Sequence, residues 1–339
     1  MIHAGFTGAG NITETHIRAA LATCNVQIAA VYGANQAKAD QLAKTYGGTS
    51  YGDFDAFLAH RPMELVIIGS PSGCHADEGI AAAQRGLHVL TEKPIDISTE
   101  RTDKLITAAD RAGVKLGVIY QDRLKPDILR LNDWIESGTL GRLILVEAAV
   151  KWYRPPAYYA DSKWRGKLDL DGGGALMNQG IHTVDLLLYL LGDVTRVQSV
   201  IRTALHKIES EDTCVATLEF ANGALGILYA STAAYPGYPR RVEITGSEGT
   251  VRLEQDRIVS ADVRNPVAGK HDEVPVDQNA SANSPVISDV RGHQRIIEDF
   301  IASIETGRRP VCDGEEGRRS VALVEAIYHE VVVAFWRAW

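Results

Sequence analysis

The first 120 residues alternate between two hydrophobic periodicities. Short apolar runs such as "IHAGFT", "VQIAAVYG", "ELVIIG", "LHVLTE" and "VKLGVIY" take turns with stretches such as "NQAKADQLAKTYG" and "STERTDKLITAADRAG". In the latter, apolar residues recur every three or four positions. The first pattern belongs to buried strands and the second to amphipathic helices. Their regular alternation predicts an α/β domain, a parallel sheet with helices wound around it and ligands bound at the C-terminal ends of the strands. Those ends carry Gly33, Ser70, Glu92 and Tyr120.

The pattern changes after residue 122. A helix over about 127–137 leads into the strand "RLILVEAAVKW". From 195 onward come strand-like runs separated by turn signals, among them "TCVATLEFANGALGILYAS" around Asn222-Gly223. Successive hairpins predict an α+β domain on a mostly antiparallel open sheet. The chain therefore reads as two domains, a Rossmann-type α/β domain over 1–122 and an α+β domain over 123–339. A length of 339 residues suits two cores better than one. The polar stretch 277–289 reads as a mobile surface loop.

Composition narrows the class. Apolar residues make up 45% and charged residues 23%, a soluble globular profile. The net charge of −8 argues against nucleic acid, because no basic stripe is available to meet phosphates. No apolar run is long enough to span a bilayer, and the chain opens directly on a strand with no signal-peptide pattern. Cys24, Cys74, Cys214 and Cys312 lie far apart with no metal-type spacing, so no metal is expected. They read as reduced thiols of a cytoplasmic protein.

Three motifs carry chemistry. The opening "GFTGAGNITETH" places Gly8, Gly10, Asn11 and Ile12 between a strand and a helix, with Thr13 in the third place of a GxGxx(G/A) fingerprint. Small residues there let backbone N–H groups approach a pyrophosphate at the helix N-terminus. The second strand ends in Gly33-Ala34-Asn35, without the acid that commonly holds an NAD ribose, and Lys38 follows one helical turn on. Nothing there would repel a 2′-phosphate, so NAD or NADP is implied with the balance towards NADP.

"TEKP" holds Lys93 extended before a proline, where an ammonium group can stabilise a developing alkoxide. In "GGGALMNQGIHTVDLL", Met177, Ile181, Val184, Leu188 and Leu191 mark a buried helix face. Asn178, His182, Asp185 and Tyr189 form the neighbouring stripe at steps of four, three and four. Imidazole, with an ordinary pKa of about 6.5, suits a general acid/base. An amide can only position a hydroxyl. Asp185 has three readings, orienting the imidazole, capping, or bridging to the sheet.

In order and spacing, the glycine turn, "EKP", "WRGKLDLDGGG", "GGGALMNQGIHTVDLL" and the closing "GRRPVCDGEEGRRSVALVEAIY" resemble the Gfo/Idh/MocA oxidoreductases over essentially the whole chain. That resemblance implies an NAD(P)-dependent dehydrogenase or reductase of a sugar, cyclitol or related polyol. Lys93 and His182 carry over as catalytic residues. Asn178 stands where many members have aspartate, which leaves proton transfer to His182. The resemblance also brings Ser70, Pro71, His75, Glu92 and Gln121 to the cofactor, together with Trp164 and Arg165 from the second domain. It places Arg123 and Tyr153 at the substrate, and it implies a homo-oligomer formed through the C-terminal sheet. Two other readings stay open. One is an NAD-dependent glycosidase that oxidises a ring hydroxyl transiently, the other a non-catalytic nucleotide sensor.

Overall fold

The computed structural model describes residues 1–265 and 289–329. In the first part of the chain, β1 (Ile2–Thr7), α1 (Asn11–Ala22), β2 (Val26–Tyr32), α2 (Gln36–Tyr46), β3 (Thr49–Tyr51) and α3 (Phe54–Leu58) lead to β4 (Leu65–Ile68). Next come α4 (His75–Gln84), β5 (His88–Glu92), α5 (Thr99–Ala112) and β6 (Leu116–Ile119). The six strands form one parallel sheet in the order β3-β2-β1-β4-β5-β6. This is the wound sheet that the alternating pattern predicts, with the order reversing beside β1. Helix caps match the local sequence. Asn35, Asp53 and Ser98 each accept a backbone N–H in the first turn of the following helix. The β3–α3 excursion was not foreseen, because a three-residue strand is too short to show a period.

The later elements are α6 (Pro126–Glu136), β7 (Leu143–Lys151), α7 (Pro156–Ala160), α8 (Leu168–Asp171), α9 (Ile181–Leu191), β8 (Val194–Arg202) and β9 (Thr213–Phe220). They continue through β10 (Leu225–Ser231), β11 (Arg241–Gly246), β12 (Gly249–Glu254), β13 (Arg257–Val263), α10 (Arg291–Thr306) and α11 (Gly314–His329). Seven strands form a second sheet, β13-β12-β11-β7-β10-β9-β8. Its pairs are antiparallel except β7 with β10. On β9 buried and exposed residues alternate, so one face of the sheet is covered and the other is open.

The chain divides into two compact units. One comprises Met1–Leu124, Asp169–Gly172 and the described part of Val286–Val321. The other comprises Lys125–Leu168 and the described residues of Gly173–Pro285 and Ala322–Trp339. A single cut after residue 122 therefore differs from the observed division, and the reason is packing. Ile296, Ile297, Phe300 and Ile301 of α10 are buried in the same core as Ile17, Val26, Leu90 and Ile119. Gly117 makes room for them, since a Cβ there would lie 2.6 Å from the Phe300 ring. Residues 277–288 of the expected surface loop lie outside the described residues.

Candidate active site

The glycine turn of the first unit is built for close approach. Gly8 has φ +80°, and a Cβ on it would fall 2.5 Å from the carbonyl oxygen of Gly69. Gly10 precedes α1 with no side-chain cap, and a Cβ on it would meet nothing within 4 Å. Beside it stand Asn11, exposed, and Ile12, half-buried. The helix start is thus uncapped, open and lined with backbone donors, which fits a dinucleotide pyrophosphate. Thr13 fills the third fingerprint place. It is buried, and its hydroxyl donates to the Thr7 carbonyl at 3.2 Å, so the bulkier residue is accommodated by satisfying its polar atom.

Gly33 is buried at the end of β2, and a Cβ on it would lie 2.7 Å from that of Ala9. The missing acid is therefore a steric matter as well as a compositional one. The exposed Asn35 spends its side chain on capping α2, accepting from the backbone N–H of Lys38 at 3.3 Å. The Lys38 side chain is exposed.

At the end of β5, Glu92 and Lys93 separate in role. Lys93 is half-buried, whereas Glu92 turns inward and meets His16 of α1, Oε2 to Nε2 at 3.0 Å. Burial opposes ionisation of Glu92. The hydrogen bond and charge of His16, helped by Lys93 and His293, outweigh it and hold the carboxyl at about 2. Ligand-type atoms of His16, Glu92 and His293 all lie within 4.8 Å of one another, with His16 and Glu92 in direct, buried contact. Glu92, expected at the cofactor, thus supports the strand end that carries Lys93.

His75, also expected near the cofactor, is likewise buried. It is 1% exposed, with Nδ1 2.8 Å from the Pro94 carbonyl and Nε2 2.9 Å from that of Ser70. It clamps the "SPSG" turn to the "EKP" turn, so its influence on a ligand is indirect. Ser70 and Pro71 are half-buried on that turn, and Gln121 is half-buried after β6. Arg123, expected at the substrate, is engaged with the chain around α11. It is 1% exposed, and its guanidinium donates to Glu316 at 2.9 Å and to the Val311 carbonyl at 3.1 Å. Its charge is consumed in holding α11.

Asp96, which the sequence reading passed over, accepts from the backbone of Ala76 and Ile97 and from Arg101 Nε, each at 2.7 Å. It fixes the entry to α4 beside the same two turns.

In the second unit the helical stripe is real but begins differently. Residues Ala175–Gly180 form a π-turn before α9, so Asn178 lies on a wider coil than His182. Such turns recur at functional sites. Asn178, His182 and Tyr189 are half-buried, whereas Asp185 is 1% exposed. Met177, Ile181, Val184, Leu188 and Leu191 are all buried, as their spacing requires.

Around Asn178 the structure adds residues that no single motif announced. Gln179 Nε2 donates to Asn178 Oδ1 at 2.9 Å and to the Tyr158 hydroxyl at 3.1 Å. Gln179 Oε1 accepts from Arg154 at 3.3 Å. The Arg165 guanidinium lies 4.3 Å from the Tyr158 ring and 5.2 Å from the Trp164 ring. Tyr153 instead packs edge-on against Tyr235 at 5.2 Å, where its hydroxyl-bearing ring is half-buried. The second unit thus brings Asn178, Tyr158 and Arg165 into one polar and aromatic neighbourhood.

Comparison with known proteins agrees with this architecture. A model of the oxidoreductase family, NAD-binding Rossmann fold, matches residues 2–120, and one of the GFO/IDH/MocA C-terminal domain matches residues 128–252. Inositol 2-dehydrogenase of Rhizobium meliloti (strain 1021) is 28% identical over 333 residues, spanning 96% of both chains. D-xylose 1-dehydrogenase (NADP(+)) 2 of Haloferax volcanii is 28% identical, spanning 96% of this chain and 95% of its own. The WlbA dehydrogenase from Bordetella pertussis, solved with NADH and UDP-GlcNAcA, superposes with a TM-score of 0.87. It is 32% identical and covers 97% of this chain and 95% of its own.

Proposed function

The chain belongs to the Gfo/Idh/MocA oxidoreductase family, and on that premise we propose that it moves a hydride between NAD(P) and a secondary carbinol of a sugar, cyclitol or related polyol. The observation that carries this reading is that one chain holds an open, uncapped glycine turn at α1, a lysine just past the end of β5 and a histidine on α9. A nicotinamide dinucleotide held at the Gly8–Gly10 turn would supply the acceptor for the hydride of the carbinol carbon. His182 takes the hydroxyl proton, and Lys93 donates a hydrogen bond to the same oxygen as negative charge develops on it. Asn178, an amide held by Gln179, fixes a neighbouring hydroxyl. In the reverse direction protonated His182 returns the proton to the carbonyl oxygen.

Trp164 and Arg165 are assigned to the cofactor and Tyr153 to the substrate pocket, on the resemblance of the surrounding motifs. We place the enzyme in the cytosol on its wide cysteine spacing. No described helix is long and apolar enough to cross a membrane.

NADP is the favoured cofactor. The packing of Gly33 on Ala9 excludes an acid at that position, and Lys38 supplies a nearby cation. NADP is expected to bind about tenfold more tightly than NAD, the scale of one charge-assisted contact. Lys38→Ala should reduce that preference without weakening NAD. Titration calorimetry with both nucleotides decides the matter, and equal or tighter NAD binding counts against it.

The open face of the second sheet carries Leu145, Val200, Val215, Leu225 and Ile227, all exposed. Strand register puts them on one side, with Leu225 opposite Leu145 and Val200 opposite Val215. We assign this face to a homo-oligomer, since apolar patches of this kind mark interfaces. Light scattering should give at least a dimer for the native chain and a monomer for Ile227→Arg combined with Val215→Arg. A monomeric native chain would refute the assignment.

A further inference from the structure

The first turn of a helix leaves backbone N–H groups that the helix itself cannot satisfy. At the turn that precedes α9, the N–H groups of Gly174, Ala175, Leu176 and Met177 precede the first intrahelical bond, from Asn178 N–H to the Gly174 carbonyl at 3.0 Å. All four are met by two residues remote in sequence. Glu211, just ahead of β9, accepts from Gly174 at 2.9 Å and from Leu176 at 2.7 Å through its two carboxylate oxygens. Its own backbone carbonyl accepts from Ala175 at 3.0 Å. The hydroxyl of Tyr328, on α11, accepts from Met177 at 3.2 Å and donates to Glu211 Oε1 at 3.1 Å.

We propose that Glu211 and Tyr328 form a cap in trans that sets the position of Asn178 and His182, making both of them positioning residues for hydride transfer. The proposal rests on the reading that Asn178 and His182 meet the substrate. Asn178 is the first residue whose N–H is bonded within the turn, and His182 lies four residues on in the helix that the turn feeds. A shift at the cap is therefore passed directly to both side chains.

The glycines before the turn fit the same device. A Cβ on Gly173 would lie 2.3 Å from the Tyr328 hydroxyl, and one on Gly174 would lie 1.7 Å from the Glu211 carbonyl oxygen. Both cap residues must come closer than any side chain at 173 or 174 allows. A carboxylate at a helix N-terminus is also favoured by the helix dipole. Burial pushes the Glu211 carboxyl up to about 7, against the pull of the backbone N–H groups and the Tyr328 hydroxyl from which it accepts.

The test uses Glu211→Gln and Tyr328→Phe in the full chain, read two ways. Glu211→Gln presents an amide N–H where an acceptor is needed, and Tyr328→Phe removes the acceptor for Met177. Under saturating nucleotide and substrate, Glu211→Gln is expected to lower kcat by about 10²-fold, the scale of a small misplacement of reacting groups. The KM and Kd for nucleotide should stay within about twofold. Tyr328→Phe should give a smaller fall in the same direction. Hydrogen exchange, which needs no turnover, should speed up over 174–182 in both variants and remain unchanged in the first unit.

Native kcat in both variants overturns the proposal. So does unchanged exchange over 174–182 in both. If Glu211→Gln fails to fold, Tyr328→Phe decides alone by the same two readouts. A native chain without dehydrogenase turnover counts against the functional reading, and exchange then still decides whether the cap exists.

Discussion

Lys93→Ala is expected to lower kcat by about 10³-fold while the nucleotide Kd changes by less than about threefold. The magnitude is that of removing one preorganised donor from a developing oxyanion. Lys93 is half-buried at the end of β5, and the residue before it is anchored by the buried Glu92–His16 pair. That anchor gives the strand end a fixed position, so the ammonium need not be ordered at the moment of reaction. The glycine turn that would hold the pyrophosphate lies on β1 and α1 and does not depend on the Lys93 side chain. Steady-state kinetics with parallel calorimetry separates the two effects. A variant with near-normal turnover would remove Lys93 from the chemistry.

His182→Ala is expected to lower kcat by about 10²–10⁴-fold, the range for loss of a positioned general base. The sign of the pH dependence follows from the role. Alcohol oxidation needs neutral imidazole, so native turnover rises with pH across the imidazole titration, whereas ketone reduction falls. In His182→Ala both limbs should flatten. The measurement is kcat against pH in both directions for native and variant. If the acid limb for oxidation survives unchanged in the variant, another group is the base. Asn178 cannot be that group because an amide does not take up a proton at these pH values.

The legible part of this protein was local. The two hydrophobic periods announced both sheets, and capping residues such as Asn35 and Ser98 marked helix starts where the chain places them. The apolar face of α9 followed directly from spacing. What escaped was made by distant partners. Arg123 reads as a substrate residue from the motifs around it, but its guanidinium meets Glu316 from 193 residues away. Glu92 and His75 read as strand-end and turn residues, but burial turns both inward.

The membership of α10 in the first unit depends on Phe300 finding the space left by Gly117, a match invisible in either segment alone. The cap on the α9 turn joins three segments of which only "GGG" looked unusual. The π-turn is equally hidden, since residues 175–180 carry no feature that distinguishes a π from an α start. The glycine triplet implied that something approaches residues 173 and 174 very closely, and that something is Glu211 with Tyr328.

The most direct test is reduced-nicotinamide absorbance with NAD and NADP against a panel of sugars, cyclitols and polyols, run with Lys93→Ala beside the native chain. A net rise in absorbance for the native chain, larger with NADP and abolished in the variant, is the expected result. Tight nucleotide binding with no net reduction across the panel, or a signal that persists in Lys93→Ala, would contradict it.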